Sequence, residues 1–322
     1  MLSKVALNNT DLVVSRLCYG TNMLGTAIDQ AQANAILDRF TALGGNFLDT
    51  ARSYGDWIPD APAGASERAI GAWLKGKRRE DLVVATKGGF FDLRKGDWRN
   101  RVTPDDIASD LSASLDHLGV DAIDLYWLHS DNPETSVGPI LDALIEHQKA
   151  GRIRYFGASN WSAERIFEAQ AYAKSVGHTG FAAVQPFWGL AEPNPEGAAA
   201  QGYGLYYDNG LRAVHQAGLT MIPYSGQSRG FFSKLVAGEP ELREDMKAMY
   251  LNDANRERFA VVQRLAAKHR VGINEVVLAY LIGQPLQTIP IVGASRPEQL
   301  DESVKAVALK LTLDELAELR AA

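Results

Sequence analysis

Cysteine is almost absent from this sequence. Only Cys18 carries a thiol among 322 residues, which excludes an internal disulfide and a zinc site built from several cysteines. No apolar run approaches the ~18–20 residues of a membrane-spanning helix. Residues 1–9 lack the apolar core of a signal peptide. These absences predict a soluble protein of the reducing cytoplasm, with no membrane partner.

Runs of positive charge are also missing. The chain has 33 Lys and Arg residues against 39 Asp and Glu residues, a net charge of −6, which argues against nucleic acid as a partner. Hydrophobic residues make up 46% and charged residues 22% of the chain, as in a folded globular protein. No Pro-, Gly- or Ser-rich linker divides it, so residues 1–322 are predicted to form a single domain.

What recurs along the chain is an alternation of short apolar runs with helix-like stretches. The runs continue without strict alternation of apolar and polar residues, which is typical of strands buried on both faces. Eight such strands predict a (β/α)8 TIM barrel, with a doubly wound open sheet as the alternative. The runs are Leu17–Thr21, Asn46–Thr50, Leu82–Thr86, Ala122–Leu128, Ile153–Gly157, Ala182–Phe187, Leu219–Tyr224 and Thr288–Gly293.

Several helix ends can be predicted from their capping residues. Thr103 stands before a proline and two acids, which predicts a helix start, and Gly119 can close that helix. Ser162 predicts the start of another helix. Thr312 and Glu315 form a capping-box pattern near the C-terminus.

The segment before the first strand predicts a hairpin. Residues 4–7 and 12–14 flank the turn-forming segment Asn8-Asn9-Thr10-Asp11, and such a hairpin could plug the barrel floor. Two other stretches, residues 57–65 and 189–208, are too long for plain connections. They predict extended loops at the C-terminal rim, because long loops in a compact domain are usually functional or mobile.

Polar side chains stand where several of the predicted strands end. In a barrel these ends meet at one rim, where active sites form. Each residue alone has a structural explanation, such as a helix cap, a solvated lysine or a hydrogen-bonded histidine. Together they could pair with each other, which offsets the cost of burying charge. The residues are Asp49, Lys87, His129, Ser159, Asn160 and Gln185.

The motif Asp49-Thr50-Ala51-Arg52-Ser53-Tyr54-Gly55 resembles that of the aldo-keto reductase family. Other segments agree with the family in order and spacing over essentially the whole chain. The resemblance implies a (β/α)8 barrel that transfers hydride between a nicotinamide cofactor and a carbonyl or alcohol. The matching segments are Cys18-Tyr19-Gly20-Thr21-Asn22, Ala85-Thr86-Lys87, Asp124-Leu125-Tyr126-Trp127-Leu128-His129, Gly157-Ala158-Ser159-Asn160, Gln185-Pro186, Ile222-Pro223-Tyr224-Ser225 and Ile289-Pro290-Ile291-Val292-Gly293-Ala294.

Carried over residue by residue, the resemblance implies a catalytic tetrad of Asp49, Tyr54, Lys87 and His129. Hydride addition to a carbonyl creates an alkoxide, which Tyr54 would protonate. A neighbouring ammonium favours the phenolate, so Lys87 is expected to lower the pKa of Tyr54 while Asp49 holds Lys87 in place. His129 would orient the carbonyl or share the proton relay.

The same resemblance implies where the cofactor binds. Ser159, Asn160 and Gln185 would bind the carboxamide, and Tyr224 would stack on the nicotinamide ring. The full set of implied cofactor residues is Gly20, Thr21, Asn22, Asp49, Ser159, Asn160, Gln185, Tyr224, Ser225, Gln227, Arg229, Gly293, Ala294, Arg296, Gln299 and Glu302.

The adenosine end of this implied site departs from the family pattern. Gly293-Ala294 stands where many members carry a Lys-Ser pair for the 2′-phosphate, and Gln299 stands where Arg is frequent. Arg296 could still stack on adenine and bind a phosphate, because a guanidinium suits both roles. NADP(H) is therefore favoured, with NAD(H) as the alternative.

Aromatic residues are the expected walls of the substrate pocket. Trp57, Trp127 and Trp188 are the candidates, and Trp127 should face the same side as His129, two residues further along the strand. The loop tyrosines Tyr203, Tyr206 and Tyr207 are expected to cover cofactor or substrate. Aromatic walls suit both sugars and apolar carbonyls, so the expected partner is a small-molecule carbonyl or alcohol of either kind.

Two other functions are compatible with such a fold. One is a nicotinamide-nucleotide-binding regulatory subunit with little turnover, against which the complete tetrad argues. The other is an unrelated barrel enzyme such as a metal-dependent hydrolase. The remaining histidines fall in helical or loop stretches and form no strand-end cluster with His129, so no metal site is predicted.

Overall fold

The computed structural model describes residues 1–321, which contain ten strands in two sheets. The first two strands pair as an antiparallel hairpin, and the other eight form one parallel sheet. The strands are β1 Lys4–Ala6, β2 Val13–Ser15, β3 Cys18–Gly20, β4 Phe47–Asp49, β5 Val83–Gly88, β6 Ile123–Leu128, β7 Ile153–Ser159, β8 Ala183–Gln185, β9 Thr220–Met221 and β10 Ile291–Val292.

The parallel sheet closes on itself. Its strands are ordered β10-β3-β4-β5-β6-β7-β8-β9. Across the remaining gap, Met221 N donates to Gln287 O at 3.1 Å and Ile289 N donates to Met221 O at 2.9 Å. Each of the eight predicted apolar runs contributes one strand. The (β/α)8 barrel is therefore confirmed, and the doubly wound alternative is wrong.

Helices alternate with the parallel strands and bury their apolar faces in one large core. The caps predicted at Thr103, Ser162 and Thr312 are all present. No helix in residues 1–321 is long and apolar enough to span a membrane. The α-helices are α1 Gln30–Ala42, α2 Ala65–Leu74, α3 Pro104–Leu118, α4 Val137–Lys149, α5 Ala163–Ser175, α6 Pro195–Ala200, α7 Asn209–Gln216, α8 Phe231–Leu235, α9 Glu244–Tyr250, α10 Asp253–His269, α11 Ile273–Ile282, α12 Pro297–Lys305 and α13 Leu313–Ala321.

The last two barrel strands, β9 and β10, are shorter than the sequence predicted. The runs 219–224 and 288–293 contain Pro223 and Pro290, and proline has no N–H to donate to the strand ladder. Pairing nevertheless continues past the regular strand, because Ile291 N donates to Pro223 O at 2.9 Å. The prolines thus shorten the strands without opening the barrel.

The N-terminal hairpin closes the barrel floor, as predicted. Leu7 and Val14 are buried in the same cluster as side chains that fill the barrel interior, among them Phe47 and Trp127. Trp127 is fully buried, and a Cβ placed on Gly157 would lie 2.5 Å from its ring. The interior is therefore a packed core, so a ligand must bind at the rim.

Replacing Gly157 by alanine is expected to lower the free energy of unfolding by about 1–3 kcal/mol through overpacking. The added Cβ would lie 2.5 Å from Trp127 Cζ3 and 2.6 Å from Ala183 O. Gly76→Ala is the matched control, because a Cβ there meets no atom within 4 Å. Denaturant unfolding compares the two variants. Equal stabilities would contradict the dense packing around Trp127.

Long segments stand at the carboxyl rim of the barrel. The predicted loop 57–65 contains no helix or strand up to residue 64, and its last residue, Ala65, begins α2, whereas residues 189–208 contain the unpredicted short helix α6. This helix begins with Pro195, a residue well suited to a first helical position. A third rim segment, residues 222–252, was not predicted to be irregular. It holds only short helices between β9 and α10.

Candidate active site

A cleft of about 1260 Å³ opens at the carboxyl ends of the barrel strands. β4 ends at Asp49, β5 carries Lys87 next to its last residue, and His129 directly follows β6. Asp49, Tyr54 and His129 line the cleft, and Lys87 is buried behind them. The fold thus brings the four residues of the implied tetrad together.

Lys87 is the centre of this group. Its Nζ donates to Asp49 Oδ2 at 2.5 Å, to Thr50 O at 2.7 Å and to Tyr54 Oη at 2.9 Å, which uses all three ammonium hydrogens. Burial lowers the pKa of Lys87, but the Asp49 carboxylate and Tyr54 together raise it above its ordinary value. Lys87 therefore stays charged in a site where it is only 1% exposed.

The pKa of Tyr54 is raised, in contrast to the expectation that Lys87 would lower it overall. Burial of the phenol raises the pKa, and the opposing effect of Lys87 is smaller. The ammonium does favour the phenolate, as expected for a cation 2.9 Å away. The net result is a phenol that keeps its proton at neutral pH.

His129 is held as a neutral imidazole. Burial lowers its pKa well below the ordinary value, and the positive charges of Lys87 and Arg52 add to this effect. The ring stacks on Phe90 with 4.4 Å between centroids and meets the Tyr54 ring edge-on at 5.9 Å. Its Nδ1 is buried and has no hydrogen-bond partner within residues 1–321. A neutral ring has one donor and one acceptor nitrogen, and because Nδ1 is buried, Nε2 is the nitrogen that can face a ligand in the cleft.

For the carbonyl reduction that the resemblance implies, kcat is expected to be constant between about pH 6 and about pH 9. As the implied proton donor, Tyr54 must be protonated, and its raised pKa preserves that form until the pH exceeds this range. The lowered pKa of His129 removes any change in its charge from the same range. Steady-state rates at saturating cofactor and carbonyl measure this profile. A step in kcat near neutral pH would contradict these protonation states.

The residues implied to hold the carboxamide also converge on the tetrad. Gln185 Nε2 donates to Asp49 Oδ1 at 2.9 Å, and Ser159 Oγ donates to Gln185 O at 2.9 Å. Asn160 adopts a left-handed backbone with φ 59°, and its Nδ2 donates to His129 O at 2.9 Å. The Asp49 carboxylate therefore connects the two groups, with one oxygen on Lys87 and the other on Gln185.

The loop that precedes α7 covers this end of the cleft. Tyr224 Oη donates to Asn160 Oδ1 at 2.8 Å and accepts from Gly204 N at 3.3 Å. The Tyr224 ring stacks on Phe187, and Tyr203 lies beside it. Of the three loop tyrosines, only Tyr203 lines the cleft. The structure places the other two, Tyr206 and Tyr207, in a different pocket.

A loop with left-handed backbone follows β9. Ser225, Ser228 and Arg229 have φ values of 58°, 48° and 56°, a conformation that can turn successive N–H groups toward an anion. Gln227 connects this loop to the opposite wall, because its Oε1 accepts from Gly293 N at 2.9 Å. The Arg229 guanidinium is held by Asp245 at 2.6 Å. Arg229, one of the implied cofactor residues, is therefore already paired, whereas the left-handed loop has the backbone shape of an anion site.

Only some of the residues implied to bind the adenosine part of the cofactor line the cleft. Ala294, Gln299 and Glu302 line the cleft beside Gly293, where an added Cβ would meet no atom within 4 Å. Gln299 caps α12, since its Oε1 accepts from the N–H of the N-cap residue Arg296 at 3.2 Å and from that of Ser295 at 2.7 Å. Arg296 does not line the cleft; it is exposed at the start of α12. Ser295, the residue before it, does line the cleft, and the implied role of Arg296 in cofactor binding stays a prediction.

Two of the three tryptophans predicted to form the wall of the substrate pocket do not line the cleft. Trp127 is fully buried within the barrel, below the level of His129, and Trp188 lines a separate pocket. Trp57 alone borders the cleft, where it is 50% exposed and meets the Tyr54 ring edge-on at 6.2 Å. Gly20, Thr21 and Asn22 line the cleft as expected.

Phe90 and Phe91 complete the aromatic wall and were missed in the sequence. Both line the cleft, and Phe91 packs against the exposed Trp98 with 5.4 Å between ring centroids. Their position shortly after Lys87, at the end of a predicted strand, was the available signal. The wall therefore comes from the loop after β5 as much as from the loop that holds Trp57.

A network of buried ion pairs, also missed, fixes the loop that carries Tyr54. Arg52 Nε lies 3.2 Å from Asp110 Oδ1 on α3, and Arg94 Nε donates to Asp56 Oδ1 at 2.6 Å. Arg52, Asp56 and Asp110 are each less than a tenth exposed. These pairs join the loop after β4 to the next loop and to α3, so they position the tyrosine indirectly.

Comparison with known proteins gives consistent results. The model of the Aldo/keto reductase family matches residues 16–322. The uncharacterized oxidoreductase YrpG of Bacillus subtilis is 30% identical over 95% of this chain and 91% of its own. The aldo-keto reductase yakc of Schizosaccharomyces pombe, whose name specifies NADP(+), is 29% identical over 98% of this chain and 89% of its own. The crystal structure of the thermostable aldo-keto reductase Tm1743 with the inhibitor epalrestat superposes with a TM-score of 0.75, at 26% identity and 99% coverage of both chains.

Proposed function

The chain belongs to the aldo-keto reductase family, and from that premise we propose that it reduces an aldehyde or ketone with NADP(H), with Tyr54 as the proton donor. It is an NAD(P)-dependent oxidoreductase that acts on carbonyl groups. The role proposed for Tyr54 rests on the hydrogen bonds that link Tyr54 to Lys87 and Lys87 to Asp49, with donor–acceptor distances of 2.9 and 2.5 Å. These hydrogen bonds connect the buried ion pair to a phenol in the cleft wall.

The cleft fits a nicotinamide dinucleotide. Amide and hydroxyl groups of Ser159, Asn160 and Gln185 stand at one end, and the left-handed loop after β9 stands further along. When bound, the cofactor supplies the hydride. The three polar side chains would exchange some of their mutual hydrogen bonds for bonds to the carboxamide, and Tyr224 would support the ring.

Proton delivery falls to Tyr54. Its Oη would donate to the carbonyl oxygen as negative charge develops there. The Lys87 ammonium, 2.9 Å away, would then stabilise the phenolate that is left. Asp49 keeps Lys87 charged and oriented, which a buried ammonium requires. Neutral His129, in contact with the Tyr54 ring, would orient the carbonyl without adding charge.

The preference for NADP(H) is supported by cations around the cleft. Lys234 and Arg243 line it beside the loop after β9, where Lys234 donates to Arg229 O and Arg243 pairs with Asp245. Exposed Arg296 stands one residue beyond the lining Ser295 at the start of α12. A 2′-phosphate would gain charge-assisted hydrogen bonds from such groups, which the 2′-hydroxyl of NAD(H) would not. The cofactor is therefore proposed to be NADP(H), with NAD(H) bound more weakly.

The proposal is tested by cofactor binding and turnover together. Fluorescence titrations with NADPH and NADH give the two affinities, and NADPH consumption is followed with aldehydes, ketones and sugars. We expect tighter binding of NADPH and turnover with at least one carbonyl class. Tight binding with no turnover on any carbonyl would favour the regulatory alternative. Binding of neither cofactor would overturn the proposal.

A further inference from the structure

A second pocket lies on the outside of the barrel, away from the cleft. It has a volume of about 590 Å³ and is lined by α7, α10, α11, α13 and the loop after β8, with no lining residue in common with the cleft. This volume lies within the range of about 300–1,000 Å³ that is usual for small-molecule sites. The proposed reaction makes no use of this pocket.

Three arginines face this pocket, in a chain whose net charge is −6. Arg258 is 8% exposed and pairs with Glu192 at 3.0 Å. Arg212 and Arg320 form no ion pair with any carboxylate in residues 1–321, and Arg320 donates only to the Gln284 side chain, at 3.1 Å. The pocket therefore holds positive charge that its own walls do not neutralise.

Arg212 carries an unmet hydrogen-bond donor. Its Nε is buried and finds no acceptor in the part of the chain that the structure describes. The other carboxylate of the pocket, Asp208, is committed to capping α7, because its Oδ1 accepts from Leu211 N at 2.8 Å. A buried donor without an acceptor is costly, so the walls of this pocket leave the Arg212 guanidinium short of acceptors, and an anion beside it would be favoured.

Flat aromatic surfaces stand beside these arginines. Trp188 and Tyr207 stack with 3.9 Å between ring centroids and 12° between their planes, and Tyr280 meets Trp188 edge-on at 6.4 Å. All three line the pocket. Trp188 and Tyr280 are only 4% and 6% exposed, so partly exposed Tyr207, backed by Trp188, presents most of the ring surface to the apolar face of a ligand. The arginines would accept the charged end of that ligand.

We propose that this pocket binds a small organic anion, namely a carboxylate attached to a flat apolar body. The carboxylate would accept hydrogen bonds from the guanidinium groups of Arg212 and Arg320, since a guanidinium matches the two oxygens of a carboxylate. The body would lie against the aromatic wall of Trp188 and Tyr207. The site is independent of the cofactor and of the carbonyl that the cleft receives.

Calorimetric titration of the NADPH-saturated protein with 2-naphthoate tests this site, with uncharged 2-naphthamide as the matched ligand. Naphthoate is expected to bind at millimolar concentration or below, and the amide at least about tenfold more weakly. Arg212→Gln is expected to weaken naphthoate binding by about tenfold or more and to leave the affinity for NADPH unchanged. Tyr54→Phe, a change in the cleft, should leave naphthoate binding intact.

Other results would overturn the proposal. Absence of naphthoate binding, equal binding of the amide, or loss of binding in Tyr54→Phe but not in Arg212→Gln would each do so. The last result would place the anion in the cleft instead. If Arg212→Gln does not fold, Arg320→Gln replaces an exposed side chain and provides the same comparison.

Discussion

Replacing Tyr54 by phenylalanine is expected to lower kcat for carbonyl reduction by about 10²- to 10⁴-fold, the usual effect of losing a positioned general acid. The variant removes only the oxygen that accepts from Lys87 at 2.9 Å. The ring and its edge-on contacts with Trp57 and His129 stay. NADPH affinity should therefore be nearly unchanged, which separates lost chemistry from lost binding.

Tyr250→Phe is the matched control for this variant. Tyr250 is also buried, but its hydroxyl has no hydrogen-bond partner within residues 1–321, and it does not line the cleft. Its kcat should equal that of the wild type. Rapid-mixing measurements of NADPH oxidation compare the three proteins. A Tyr54→Phe rate within a few-fold of the wild type would mean that another group delivers the proton.

Replacing Asp49 by asparagine is expected to reduce the free energy of unfolding by about 3–5 kcal/mol, because it leaves a buried ammonium without its counter-charge. Lys87 and Asp49 side chains are 1% and 3% exposed, so water cannot replace the missing carboxylate. Adding Lys87→Met to the same chain should restore most of the lost stability, since the double variant has no buried charge at this position. Activity should be lost in both variants.

The exposed ion pair between Arg39 and Asp301 is the control for the buried pair between Lys87 and Asp49. Its side chains are 44% and 35% exposed, so Asp301→Asn should cost at most about 1 kcal/mol. Denaturant unfolding near neutral pH measures all these variants. If Asp49→Asn were no less stable than Asp301→Asn, the Lys87 charge would not depend on Asp49.

Much of the fold was predictable because its signals are local. Strands buried on both faces are continuous apolar runs, and the helix caps at Thr103 and Ser162 depend on neighbouring residues alone. Each barrel strand delivers its last residues to the same rim. That rule explains why the sequence alone predicts that Asp49 and Lys87 lie close together.

The substrate walls could not be predicted in the same way. Trp127 does face the barrel interior like His129, because side chains two residues apart on a strand point to the same face. Two residues nevertheless correspond to roughly 6.6 Å along a strand, which is enough to place Trp127 in the packed core rather than in the cleft. Trp188 follows the end of β8, where the chain turns outward, and loop directions are not encoded in strand periodicity.

The effect of burial on the pKa of Tyr54 and the ion pairs between distant residues could not be predicted from the sequence either. The expectation for Tyr54 considered the charge of Lys87 but not the loss of water around the phenol, which has the larger effect on its pKa. The pairs of Arg52 with Asp110 and of Arg94 with Asp56 join residues that are distant in the chain. Such partners become evident only when the loops are folded.

Hydride transfer to a carbonyl is the central claim, and isotope labelling tests it most directly. The wild-type protein would be incubated with NADPH that carries deuterium at the transferable position and with a mixture of aldehydes and ketones. Mass spectrometry would then locate the label in the products. The account predicts an alcohol with one deuterium on the former carbonyl carbon, and no such product from Tyr54→Phe in the same time. Bound NADPH with no labelled alcohol from any carbonyl would contradict it.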